Sequence, residues 1–278
     1  LSIGHPLEGG EQLRSIWKGS VSFGLVTIPV RLYTATEDKD VRFHMLHKTD
    51  GSRVEYKKFC ADEQVELQND EIAKGFEYAK GQYVLIEDKD FESIPLSTSH
   101  AVEIMEFVDL PEVDPIYFQK SYYLEPQEGA AKPYALLREA MQRANKIALA
   151  KVVLRDKEHL ATVRVHDDVL VLETLFYPDE VRNPRELVED TKKAALNEKE
   201  VQMAINLIEA LAAEFEPEKY HDNYREALLE VIHQKIEGKP IELPAAKPSP
   251  KVMDLMEALR ASVEMAKPAA GGKKEKVA

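Results

Sequence analysis

Residues 17–33 read W-K-G-S-V-S-F-G-L-V-T-I-P-V-R-L-Y, and their reading decides the fold. In the first half Trp17, Val21, Phe23 and Leu25 share one parity, while Lys18, Ser20 and Ser22 share the other. This alternation predicts a half-buried strand with a polar outer face. From Val26 the parity reverses, so that Val26, Ile28, Val30 and Leu32 lie opposite Thr27 and Arg31. A period-2 pattern that reverses within one strand leaves a residue unpaired. Gly24 stands at the reversal, where a bulge or a barrel corner takes a glycine. Pro29 has no N–H to donate, which predicts a sheet edge or a bend. A bent strand shared by two parts of one sheet predicts a small closed or nearly closed barrel.

The rest of the chain bounds what such a barrel can do. No apolar run approaches the ~20 residues that span a bilayer. No basic segment followed by an apolar core marks a secretory signal. The single cysteine, Cys60, excludes an internal disulfide, and a reducing cytoplasmic setting fits. The formal net charge of −13 argues against nucleic acid as a partner when taken as a total. Phosphates respond to the local field along a groove, however, and an acidic exterior is compatible with a basic lining. Residues 1–12 have no period and read as a leader or a non-native start.

Residues 41–58, V-R-F-H-M-L-H-K-T-D-G-S-R-V-E-Y-K-K, place Asp50-Gly51 between two β-prone runs and predict a hairpin. Its arms carry Arg42, His44, His47, Lys48, Arg53, Lys57 and Lys58 against Asp50 and Glu55. A solvated face and a phosphate-tracking arm both fit this pattern. His44, His47 and Cys60 fall short of a structural zinc set, because Ala61-Asp62-Glu63 follows the cysteine. No metal and no cofactor are expected.

Further along, residues 70–81 predict a short helical turn with glycine stops, 83–86 a strand, and 88–94 a short helix ended by Pro95. A strand over 101–108 has Glu103 and Glu106 on opposite parities, which leaves its register open. Residues 114–126, D-P-I-Y-F-Q-K-S-Y-Y-L-E-P, predict a strand whose tyrosines serve packing rather than base stacking. An amphipathic helix follows over 132–146, with Tyr134, Leu137, Ala140, Met141 and Ala144 as its buried stripe. Strands are expected over 147–154, 160–165 and 169–177, with Arg155, Lys157 and His159 in a loop at a hairpin tip.

After Pro184 the pattern turns helical. Asn197 and Glu200 suggest a capping box before a stripe of Val201, Ile205, Ile208, Leu211, Ala212 and Phe215. Asp222 caps a second helix expected to bury Leu228, Leu229, Ile232 and Ile236 and to stop at Gly238. A Pro-rich linker then leads to a helix over 252–265, too short to be stable alone and suited to a partner's groove through Leu255, Met256, Leu259 and Val263. The Lys-rich end beyond it is expected to be disordered. Among these residues there is no phosphate-binding loop, dinucleotide fingerprint, nucleophile elbow or HExxH pair.

Several of these stretches, in order, resemble one family. The segment W-x-G-x-V-x-F-G-L-V-x-I-P-V-x-L-Y is similar to the opening of bacterial Ku, and D-P-I-Y-F-x-K-x-Y-Y-L-E-P is close to the same pattern. K-G-F-E-Y at 74–78, A-K-V-V-L-R-D-K-E-H-L-A-T-V-R at 150–164, L-V-L-E-T-L-F-Y-P-D-E-V-R at 170–182 and F-x-P-E-K-Y-H-D-N-Y-R-E-A-L-L-E-V-I at 215–232 resemble it too. The likeness covers roughly 14–239 and 252–264.

The resemblance implies a mixed α/β, mainly β fold: a Ku-type β-barrel core at 13–190 with long β-arm hairpins bridging over DNA at about 36–75. A C-terminal helical arm at 191–239 and a linker, short helix and Lys-rich tail at 240–278 complete it. It implies a homodimeric ring that takes double-stranded DNA ends without reading sequence. It further implies recruitment of an ATP-dependent DNA ligase through the C-terminal segment, in a nucleoid-associated cytoplasmic protein without enzymatic activity. The expected phosphate contacts are Arg14, Lys18, Arg31, Arg53, Lys57, Lys58, Arg155 and Lys157. Two other readings stay open: a β-barrel module that docks proteins and never touches DNA, and a metal-dependent nuclease.

Overall fold

The 17–33 stretch folds as a tight hairpin, not as one bent strand. Strand β1 (Trp17–Phe23) pairs antiparallel with β2 (Val26–Thr34), Phe23 facing Val26, Val21 facing Ile28 and Trp17 facing Leu32. Only Gly24 and Leu25 join them, with Gly24 at φ +57°, as a glycine in the first central position of a type II′ turn requires. A two-residue turn sets odd residues of β1 opposite even residues of β2, and this produces the parity reversal that suggested a bulge. The shared face is the barrel interior, where Val21, Ile28, Val30 and Leu32 are fully buried.

Pro29 is likewise not on a sheet edge, since β2 has neighbours on both sides. It lies one residue beyond the β2–β6 ladder, which starts at Val30 opposite Pro126. Its carbonyl accepts from the Gln127 N–H, and no ladder bond is lost there to the missing proline N–H.

The structure is a computed structural model that describes residues 13–94, 100–155, 157–187, 195–240 and 255–266. The remaining strands are β3 (Lys74–Ala79), β4 (Gln82–Ile86), β5 (Ala101–Val108), β6 (Phe118–Pro126), β7 (Ile147–Leu154), β8 (Lys157–His166) and β9 (Val169–Leu175). Seven of the nine close into a barrel in the order β1-β2-β6-β9-β8-β7-β5. Closure is made by β5 running parallel to β1, Ser20 opposite Ala101. A register shift between Ile104 and Glu106 bulges β5, which explains why Glu103 and Glu106 stand on opposite parities.

One end of the barrel is closed by α2 (Ala131–Ala144), which buries Tyr134, Leu137 and Met141. The Tyr134 hydroxyl donates to the Leu124 carbonyl and accepts from the Leu170 N–H, each at 2.7 Å. One side chain thus satisfies a backbone group of β6 and another of β9 where the two strands meet. The turn between β7 and β8 is shorter than the sequence suggests. Lys157 and His159 belong to β8, opposite Leu154 and Val152, and are not loop residues. The hydrophobic run from Leu160 concealed this, because the first residues of β8 are polar.

Between β2 and β5 the chain leaves the barrel. Two small hairpins carry the isolated bridges Leu46 to Arg53 and Phe59 to Glu66. The first turns at Asp50-Gly51 as expected, with Gly51 at φ +71°. The helical turn expected over 70–81 is confined to a 3-10 turn at Asn69–Glu71, and the rest is the β3–β4 hairpin. Phe76 and Tyr78 do alternate with Gly75 and Glu77, but the glycines masked that signal. The short helix α1 (Asp88–Glu92) follows.

The chain divides into two compact units, 1–39 with 43–182 and 40–42 with 183–278. The second holds α3 (Glu198–Leu211), α4 (Asn223–Ile236) and α5 (Leu255–Ala266). Asn197 caps α3 through the Lys199 N–H, and Asp222 caps α4 through the Arg225 N–H. Gly238, at φ +68°, follows the end of α4. The expected buried stripes are largely at the surface: Ile205, Ile208, Leu211, Phe215, Leu229 and Ile236 are all exposed. An amphipathic period fixes which residues share a face, but not whether this chain supplies its cover.

Candidate nucleic-acid interface

Strand pairing brings three of the expected phosphate-binding residues together. Lys18 and Arg31 face each other across β1 and β2 on the outer surface of the barrel. Arg14, in the segment just before β1, lines the same open pocket as Arg31, Tyr33 and Tyr123. The field there is mixed. Arg31 faces Glu125 of β6 and forms an ion pair with it at 3.7 Å. The Tyr33 hydroxyl also donates to Glu125, at 2.5 Å, and that bond to a carboxylate is the main reason the phenol's pKa is raised. Glu37, Asp167 and Asp168 line the pocket as well.

A second group lies on the excursion from the barrel. Arg53 stands at the bridge to Leu46 and makes no ion pair with any described residue. Lys57 is paired with Glu66 at 2.8 Å, and Lys58 donates to the Asn69 side-chain oxygen at 3.0 Å. The turn that precedes Arg53 is held by Asp50, whose carboxylate accepts from the Ser52 N–H at 3.0 Å and Ser52 hydroxyl at 2.8 Å and contacts His47. Those bonds, the Ser52 N–H first, lower the Asp50 pKa. Lys48, next to His47, adds an exposed cation that the sequence reading left out of the contact set.

The third group is the β7–β8 turn, two strands around the barrel from β1 through β5. Arg155 sits there at φ +51° and is exposed. Lys157 is paired with Glu180 at 3.3 Å. Neighbouring His159 has its pKa lowered, first by burial and then by the positive charge of Lys157, with Lys120 adding to this. Five expected contacts, Arg14, Lys18, Arg53, Lys58 and Arg155, therefore lack a carboxylate partner among the described residues, while Arg31, Lys57 and Lys157 have one.

The outer face of β8 and β9 carries an ion pair that the sequence reading missed. Arg164 donates to both carboxylate oxygens of Glu173, at 2.9 and 2.8 Å, and the Glu173 side chain is only 9% exposed. The Glu173 bond is the first cause of the raised Arg164 pKa. The two residues share an outward parity, but Arg164 faces Val171 and Glu173 faces Thr162, so only the diagonal register reveals the pair.

On the C-terminal side, Leu259 and Val263 are half-buried on α5, and the side chains of Leu255 and Met256 lie outside the described set. His44, His47 and Cys60 do not converge, and the described residues contain no group of three or more His, Cys, Asp or Glu placed to hold a metal ion. No helix among the described residues is long and apolar enough to cross a membrane.

Together these features define a closed β-barrel protein with a long excursion and patches of outward-facing cations. The Ku70/Ku80 beta-barrel domain matches residues 22–203, and the chain belongs to that family. It is 51% identical over 258 residues to a protein of Symbiobacterium thermophilum named non-homologous end joining protein Ku. A protein of the same name from Frankia casuarinae is 49% identical, and one from Bacillus subtilis 45%. Each match covers 92% of this chain. The aligned region spans 64% of the Symbiobacterium and Frankia proteins and 84% of the Bacillus protein.

Proposed function

We propose that this chain is a subunit of a homodimeric ring that binds double-stranded DNA ends without sequence preference. In this reading it acts in non-homologous end joining of double-strand breaks in the bacterial cytoplasm, at the nucleoid, and recruits an ATP-dependent DNA ligase through its C-terminal segment. It catalyses no step itself. The names of its relatives support the pathway.

The observation that carries the ring is the excursion between β2 and β5. Phe43 is 69% exposed, Tyr56 79%, Phe76 64% and Leu85 66%. So much apolar surface on one excursion calls for a cover. A second copy of the same excursion offers the matching surface through a two-fold contact. The cations Lys48, Arg53, Lys57 and Lys58 lie on the same excursion, which would close over a duplex. Arg14, Lys18, Arg31, Arg155 and Lys157 would meet phosphates from the barrel side. Phosphate contacts of this kind position a duplex and carry no sequence information.

A second reading, a protein-docking barrel that never meets DNA, draws on the net charge of −13 and on the carboxylates already paired with Arg31, Lys57 and Lys157. Linear and closed-circular duplex of one sequence, offered with and without magnesium, decide between them. End binding predicts capture of the linear form alone, with no cleavage in either condition. Binding to neither form supports the docking module, and cleavage with magnesium supports a nuclease. If changing Arg14, Lys18, Arg53 and Arg155 together to Glu leaves binding intact, the assignment of the contacts is wrong.

A further inference from the structure

The C-terminal helix is already occupied within its own chain. α5 packs on α3, and both belong to the same compact unit. On α5, Leu259 and Val263 are half-buried, while Arg260, Ser262 and Glu264 are exposed. On α3, Val201, Met203, Ala204 and Leu207 are half-buried, while Ile205 and Ile208 face outward. The arc turned inward on α3 is therefore the arc that α5 can cover. A helix of 12 residues gains little from its own hydrogen bonds, so α5 needs such a surface to stay helical.

We propose that the α3–α5 contact is an autoinhibitory latch: α3 holds the apolar residues of α5 that a partner must grip, and recruitment requires their release. This rests on the reading that α5 recruits the end-joining ligase, and it concerns the regulation of that same site. The physical consequence is competition. A ligase groove and α3 bind the same side of α5, so only the released fraction is competent. The apparent Kd is the intrinsic Kd divided by that fraction. The latch therefore requires a released population that is minor but measurable. Anything that weakens α3 as a partner, without touching α5, strengthens recruitment.

This direction of change separates a latch from a purely structural contact. The test uses the full chain with an ATP-dependent end-joining ligase of the same organism immobilised as the probe. Leu207→Glu on α3 is expected to lower the apparent Kd by about 5- to 10-fold and to speed amide exchange in α5. Leu207→Ala, which keeps the helix propensity of α3 high, gives a smaller change in the same direction. Leu259→Glu on α5 abolishes capture and speeds exchange in α3. The latch is overturned if wild type and both Leu207 variants bind equally while Leu259→Glu loses binding, or if α5 exchange is the same in wild type and Leu207→Glu. Failure of the recruitment reading looks different: Leu259→Glu then binds as wild type does, or no variant binds.

Discussion

The indole of Trp17 lies directly over the α-carbon of Gly19, two residues on along the same face of β1. A methyl group at Gly19 would collide with that ring and with the His100 backbone carbonyl. The glycine of the W-x-G segment is thus there for close approach, not for an unusual backbone angle. The carbonyl it would strike accepts the Ser20 N–H at 3.0 Å, immediately before the parallel β1–β5 contact that closes the barrel.

Gly19→Ala is therefore expected to destabilise the barrel by on the order of 3 kcal/mol, because the rigid backbone on one side cannot yield. Thermal unfolding followed by circular dichroism should show the melting temperature falling by roughly 5–10 °C. Gly24→Ala strains a positive φ but meets no atom, and should cost about 1 kcal/mol.

Tyr134→Phe removes one oxygen and strands two backbone groups, the Leu124 carbonyl and the Leu170 N–H. Each buried polar group left without a partner costs about 1–3 kcal/mol. A loss of about 2–4 kcal/mol in denaturant unfolding, with an unchanged m-value, is the expected result. Replacement of the half-exposed Tyr177 by Phe serves as the mild comparison, since among the described residues its hydroxyl reaches only Glu158, at 3.4 Å.

The cations should divide into two classes. Among the described residues, Arg14, Lys18, Arg53, Lys58 and Arg155 have no carboxylate to leave when a phosphate arrives. Replacing any one of them by Gln should reduce the slope of log affinity against log salt by about 1, equally for all sequences. Replacing Lys57 or Lys157 should do less, because Glu66 and Glu180 compete for them. The reciprocal change Glu125→Gln should tighten binding by releasing Arg31. Fluorescence anisotropy over a salt series with a short blunt duplex checks all of these.

His159 should titrate below 6.5, because burial and Lys157 both disfavour its imidazolium. Its depressed pKa contributes stability that is fully present above the unfolded value of about 6.5 and is lost as pH falls through the lower folded value. NMR titration of the imidazole protons measures the midpoint directly. A bound phosphate near Lys157 would move it upward, so adding duplex should raise the midpoint if the β7–β8 turn touches DNA. A midpoint above 6.5 in the free protein contradicts the environment described here.

The barrel was legible in the sequence because its strands alternate cleanly. Val21, Ile28, Val30, Leu32 and Leu124 fall on faces that the alternation picked out and are buried, and Ala161, Val163, Leu170 and Leu172 are buried within stretches read as strands. The helix caps at Asn197 and Asp222 were legible for the same reason, since both are local events within a single turn. The candidate contacts were only half legible. Sequence supplies the list of cations, but the pairs Arg31 with Glu125 and Lys57 with Glu66 join residues far from any local pattern.

Alternation, turn residues and caps act over a few neighbouring positions, and through them the amino-acid order determined the strands of the barrel, the α2 plug and the turn at Asp50-Gly51. Tertiary structure alone decided that Gly24 makes a two-residue turn, that β5 closes on β1, that Arg31, Lys57 and Lys157 are already paired with carboxylates and that α5 lies on α3. Those outcomes depend on which distant faces meet, and a one-dimensional period carries no information about the surface on the other side.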